Sequence, residues 1–144
     1  MIPAVMEQAV LVDAAVALYA LNPADPRSTA CRELLSELGA GRGRGYGSVE
    51  MIQEIAFHRL RITGDPQRAT ADAREIMHRL TILSIDRKVL DASLRLIELH
   101  PGVRGRDAVH AATALAYGIG RIASTDPAFD RIPGLTRIDP VAVS

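Results

Sequence analysis

Cysteine occurs once in the 144 residues, at Cys31, and lysine once, at Lys88; tryptophan is absent and aromatics total only 3%. Each scarcity excludes a class of protein. A lone cysteine permits neither an intramolecular disulfide nor a cysteine-based metal cage. With so few aromatics the core has to be built from Ala, Leu, Ile and Val, which favours closely packed helices. Lys+Arg and Asp+Glu are 17 each, so net charge leaves no footprint for nucleic acid or a membrane surface. No apolar run approaches the roughly 20 residues of a membrane span. The N-terminus also lacks the basic region and long apolar stretch of a signal peptide. These absences lead to the expectation of a cytoplasmic protein with no membrane partner. Arginine carries nearly all the positive charge. That suits bidentate phosphate contacts, but an overall compositional bias produces the same pattern.

Apolar residues make up 48% of the chain, and its length fits one globular domain spanning residues 1–144. Val10 to Val12 reads as a short strand, followed after Asp13 by a helical pattern that Pro23 and Pro26 break. Arg27 to Leu38 reads as a helix ended by glycines, and "RGYGS" as a short strand at best. Ser48 can cap a helix from Val49 to Arg61, and Gly64-Asp65-Pro66 separates it from another over Gln67 to Leu80. "TILSI" (Thr81 to Ile85) is a strand, Asp86 to Leu99 a helix, and Arg106 to Tyr117 a nearly all-apolar helix. Arg121 to Ala123 and Leu135 to Ile138 complete the set as strands. Strands alternating with helices predict an α/β fold, with a mostly parallel central sheet of about four or five strands and helices on both faces. Ligands in such folds sit outside the carboxyl ends of the strands.

Asp13 and Asp126 both stand at that end. Taken singly, each acid has an ordinary explanation. Asp13 caps the following helix, Asp126 caps the turn at Pro127, Asp107 complements a helix dipole, and Glu54 is a surface glutamate. Taken together, they would share one rim of the sheet. Clustered carboxylates repel unless a cation is present, and they form the oxygen-rich sites that suit Mg²⁺ or Mn²⁺. Such ions activate water and stabilise both oxygens of a phosphodiester displacement.

The segments "VLVDAAVALYAL", "SVEMIQEIAFHRL", "RDAVHAATAL" and "IASTDPAFDRIPGL" together resemble the PIN-domain ribonucleases, in particular the VapC-type toxins of bacterial toxin–antitoxin modules. The resemblance runs from Leu11 to Ile138, and its last two motifs are the specific part. It implies a PIN-like fold and catalytic, metal-ligating roles for Asp13, Glu54, Asp107 and Asp126. Ser124 and Thr125 would support the last acid, and Asp130 matches a further acid of many such toxins. The implied activity is Mg²⁺- or Mn²⁺-dependent hydrolysis of structured RNA such as tRNA or rRNA. A cognate antitoxin would inhibit it, and homodimerisation is implied as well. One departure concerns Ala14, which lacks the hydroxyl often found directly after the first acid. Glu50 and Glu54 lie one turn apart, so periodicity does not choose between them; the offset from Ser48 matches the family at Glu54.

Arg42, Arg44, Arg104 and Arg106 flank the proposed rim in sequence, where they would meet RNA phosphates or simply water. "GAGRGRGYG" follows a helix rather than a strand, so it lacks the setting of a dinucleotide-binding loop. His110, one turn after Asp107, reads as a packed helix residue. The competing function is a catalytically inactive PIN-like module that binds RNA or protein. A phosphoryl-transfer domain with Asp13 as nucleophile fits poorly, because Ala15 stands where a second acid usually does.

Overall fold

The computed structural model describes residues 9–142. Five parallel strands form one sheet in the order β3-β2-β1-β4-β5. The strands are β1 (Ala9–Val12), β2 (Arg44–Ser48), β3 (Thr81–Leu83), β4 (Arg121–Ala123) and β5 (Thr136–Ile138). Six α-helices connect them: α1 (Ala14–Ala20), α2 (Ser28–Gly39), α3 (Val49–Thr63), α4 (Pro66–Arg79), α5 (Arg87–Leu99) and α6 (Gly105–Ala116). A 3₁₀ turn at Pro127–Arg131 precedes β5.

The sequence of β1 explains the layering. Successive strand residues point to opposite faces, and both faces of this central strand are covered, so it is apolar throughout. Val10 and Val12 join Val16, Leu35, Met51, Ile55 and Ile76, from α1 to α4, in one core. Leu11 joins Ile122, Ala108, Ala111, Phe129 and Ile132 in a second core beneath α6 and the 3₁₀ turn. Among the described residues no helix is long and apolar enough to cross a membrane.

The weak strand signal of "RGYGS" has a packing cause. A Cβ on Gly45 would stand 2.8 Å from Leu80 Cδ2 and 3.0 Å from Leu38 Cδ1, and one on Gly47 2.8 Å from Met51 Sδ. Glycine lets the helices approach a strand that its own propensity would not support. "TILSI" is shorter than expected for a related reason. Its last register partner is Ser48, which leaves the sheet to cap α3 by accepting the Met51 N–H at 3.0 Å. The Ser84 carbonyl, left beyond the ladder, accepts from Tyr117 Oη at 2.8 Å, and Asp86 caps α5 through the Val89 N–H at 2.9 Å.

Gly64, with φ of 65°, ends α3 in the left-handed conformation. The α3–α4 pair is then held by Arg59, which donates to Asp72 at 2.9 Å, both side chains being largely buried. Gly45→Ala is expected to cost about 1–3 kcal/mol by overpacking. Gly120→Ala, whose Cβ would meet nothing nearer than 3.8 Å, should leave stability almost unchanged; urea denaturation of the two variants provides the comparison.

Candidate active site

Asp13 follows β1 directly, and its N–H donates to the Ala123 carbonyl of β4 at 3.0 Å. It holds the N-cap position of α1, yet its side chain makes no capping hydrogen bond. Instead, Asp13 Oδ2 accepts the Ser124 hydroxyl at 2.8 Å. Ser124 Oγ also accepts the Asp126 N–H at 3.0 Å. The fully buried Ser124 thus links the first acid to the backbone of the last. The expectation that Ser124 supports the last acid describes half of this arrangement. Its shortest contact is with the first.

Asp126 does serve the turn, since its Oδ1 accepts the Ala128 N–H at 2.9 Å ahead of the 3₁₀ helix. Capping occupies one oxygen, however, and the residue also lines a broad cleft with Asp13, Glu54, Asp107 and Thr125. Arg104 and Arg106 line the same cleft. Asp107 enters it from the first turn of α6 and Glu54 from the side of α3. Glu50 does not line this cleft; it lies in a neighbouring groove along α3, with Phe57, His58 and Arg61, which Glu54 also borders.

The remaining candidates lie elsewhere. Arg44 opens β2 and pairs in register with Ala9, which opens β1, so it stands at the end of the sheet opposite Asp13. Arg42 precedes it and is paired with Glu37 at 2.6 Å. Closeness to the rim in sequence misled for both, because parallel strands carry their amino ends to the far side. Asp130 is exposed and takes two hydrogen bonds from Arg137, at 3.0 and 3.2 Å. Arg137 in turn donates to the Ser124 carbonyl at 3.2 Å, so Asp130 is one link removed from the cleft. Ala14 is fully buried in the first core.

The electrostatics are those of crowded acids. Burial, then the negative charges of Asp13 and Asp126, push the Asp107 carboxyl up to about 6. Burial also raises Asp13, with His110 and the Ser124 hydrogen bond opposing. Glu54 is held below the ordinary range, chiefly by the neighbouring His110 ring. His110 itself is 1% exposed. Burial disfavours its charged form, but Glu54, Asp13 and Asp107 outweigh that and hold its pKa above the usual histidine value. Its Nε2 lies 3.9 Å from both Asp13 Oδ1 and Glu54 Oε1. It is therefore a packed residue, as its apolar helix suggests, and also part of the acidic site. The sequence signal was its place one turn after Asp107.

Two observations bear on a metal. Glu54 Oε1 is buried without a hydrogen-bond partner, and the basic groups Arg106 Nη1 and His110 Nε2 each stand 3.9 Å from it. Among the described residues, however, no three His, Cys, Asp or Glu side chains form a ready-made cage. An all-oxygen donor set in an open cleft fits Mg²⁺, which keeps several waters and uses few carboxylates. The folded-state pKa of Asp107 exceeds its unfolded value, so its contribution to metal-free stability is present below the unfolded value, about 3.8, and lost as pH rises through about 6. With chelator present, Asp107→Asn should therefore gain on the wild type in thermal melts as pH rises from about 4 to 7.

Comparison with known proteins agrees with this geometry. The profile of the PIN domain family matches residues 10–135. The chain is 29% identical over 140 residues to Ribonuclease VapC7 of Mycobacterium tuberculosis, covering 92% of each. Its fold is similar to VapBC2 from Rickettsia felis bound to a promoter DNA fragment, with a TM-score of 0.72, 16% identity and coverage of 91% of this chain and 98% of that one. It is equally similar to DNA-bound VapBC from Salmonella typhimurium, with a TM-score of 0.72, 18% identity and coverage of 94% and 99%. A match over nearly the whole described chain, together with four acids gathered at the carboxyl rim of a parallel sheet, places this protein in the PIN domain family.

Proposed function

We propose that the chain is an endoribonuclease toxin of the VapC type, dependent on Mg²⁺ or Mn²⁺, and that Asp13, Glu54, Asp107 and Asp126 hold the metal. The observation that carries this reading is the convergence of these acids, from four separate stretches of the chain, on one cleft. The orphaned Glu54 Oε1 supports it, since a buried carboxylate oxygen without a donor is costly unless a cation completes it. When bound, a divalent ion supplies an activated water and stabilises the charge that develops on the phosphate.

The protein's own groups have distinct tasks. Ser124 fixes the orientation of Asp13 and carries the Asp126 backbone with it. Asp126 keeps one oxygen on the turn and offers the other to the cleft. Arg104 and Arg106, exposed beside the acids, contact flanking phosphates and set the register of the strand. The target class is structured cytoplasmic RNA, tRNA or rRNA. A cognate antitoxin covers the acidic cleft and places an arginine against the carboxylates, a charge-assisted and potentially bidentate contact. The toxin itself acts as a homodimer.

Asp13→Asn and Asp107→Asn should each abolish metal-dependent RNA cleavage while leaving the fold intact by circular dichroism; a folded, fully active Asp107→Asn protein would defeat the assignment. Mn²⁺ at about a hundred times its dissociation constant should stabilise the wild type by about 2.7 kcal/mol, a shift of a few degrees in Tm. Asp13→Asn should shrink that shift and the exposed Glu98→Gln should not. Equal responses from wild type and Asp13→Asn would remove Asp13 from the ligand set.

A further inference from the structure

His110 has no task in the reading above, and its surroundings give it one. The ring is fully enclosed, with Nε2 buried and lacking a hydrogen-bond partner. It projects from α6, one turn after Asp107, toward Asp13 at the end of β1 and Glu54 on α3, with Nε2 at 3.9 Å from an oxygen of each. On its other side Nδ1 lies 3.4 Å from Ser48 Oγ. Ser48 is buried, and its oxygen already accepts the Met51 N–H.

That arrangement decides which nitrogen carries a proton. With one lone pair given to Met51, the Ser48 hydroxyl is still able to donate its own hydrogen to Nδ1, and this leaves the ring proton on Nε2. In a doubly protonated ring Ser48 accepts instead, through its second lone pair, and Nε2 is again protonated. The remaining tautomer would turn the Nε2 lone pair toward two carboxylate oxygens, where repulsion excludes it. Nε2–H therefore faces both acids in each compatible state.

We propose that His110 is a positioning residue. Oriented by Ser48, it holds the Asp13 and Glu54 carboxylates in the pose that receives the divalent cation, and it lies outside the set of groups that touch the substrate. The inference rests on the nuclease reading for the cation. It goes further in assigning an N–H that, at 3.9 Å from an oxygen of each and short of a hydrogen bond, couples the first acid to the second electrostatically. Asp13 is then held from two directions, by the Ser124 hydrogen bond at Oδ2 and by the electrostatic attraction of His110, 3.9 Å from Oδ1. The same ring links the cap of α3 to both acids, because Ser48 serves as that cap. Residues that orient metal ligands in this way typically change metal affinity by about 10–100-fold when removed.

The test uses the full-length protein. Mn²⁺ affinity is measured by electron paramagnetic resonance for wild type, His110→Leu and His110→Gln. The leucine fills the space without a donor, and the glutamine restores an N–H near the Nε2 position. Binding should weaken at least about tenfold in His110→Leu and recover most of the loss in His110→Gln. Wild-type affinity in a folded His110→Leu protein would overturn the proposal and leave His110 as a core residue only. The second measurement needs no folded variant: nitrogen chemical shifts of ¹⁵N-histidine-labelled wild type, metal-free, should show a protonated Nε2 for the buried ring. A bare Nε2 with protonated Nδ1 would equally overturn it. Failure of the wild type to bind Mn²⁺ would count against the nuclease reading, and the nitrogen shifts would still decide the donor.

Discussion

A carboxylate at the end of a strand covered on both faces has to be supplied with donors, and the architecture around Asp13 follows from that requirement. Its 5% exposure leaves little water to solvate it. The solution is a hydroxyl on the adjacent strand, which donates to it at 2.8 Å, with an imidazole of the facing helix 3.9 Å away. Ser124 can serve only because β4 pairs in register beside β1, placing its first residue beyond the strand next to Asp13. The hydroxyl that satisfies one acid thereby fixes the backbone of another.

Much of this was legible in the sequence, for a physical reason. Apart from the glycine-rich β2, the strands are short stretches closely followed by acids, so the carboxyl rim is legible from the sequence. Asp13, Asp107 and Asp126 each occupy an element boundary, where a local pattern is informative. Glu54 lies within a helix, and there the pattern gave out. Met51, Ile55 and Arg59 set the roll of α3, but only contact with α6 shows that Glu54, rather than Glu50, reaches the acids. Arg42 and Arg44 illustrate the opposite error, in which neighbours along the chain are separated by the length of a strand. Asp130 was drawn toward the site by its motif, and Arg137, seven positions later, holds it outside.

The two explanations offered for several residues turned out to be compatible. Asp126 is both a turn cap and a cleft residue. His110 is both enclosed and polar in its contacts. Glycines at positions 45 and 47 look like breakers in the sequence, yet they let Leu38, Leu80 and Met51 close over β2. In each case the local preference and the tertiary demand fall on different atoms of the same residue.

The hydrogen bond from Ser124 to Asp13 spans 111 positions. A contact so distant in sequence forms late, because a long segment has to be ordered before its ends meet. Until β4 lies against β1, the Asp13 carboxylate lacks the Ser124 hydroxyl. Any state in which β4 is undocked from β1 therefore lacks an assembled cleft, and the first and last acids come together only as these two strands pair.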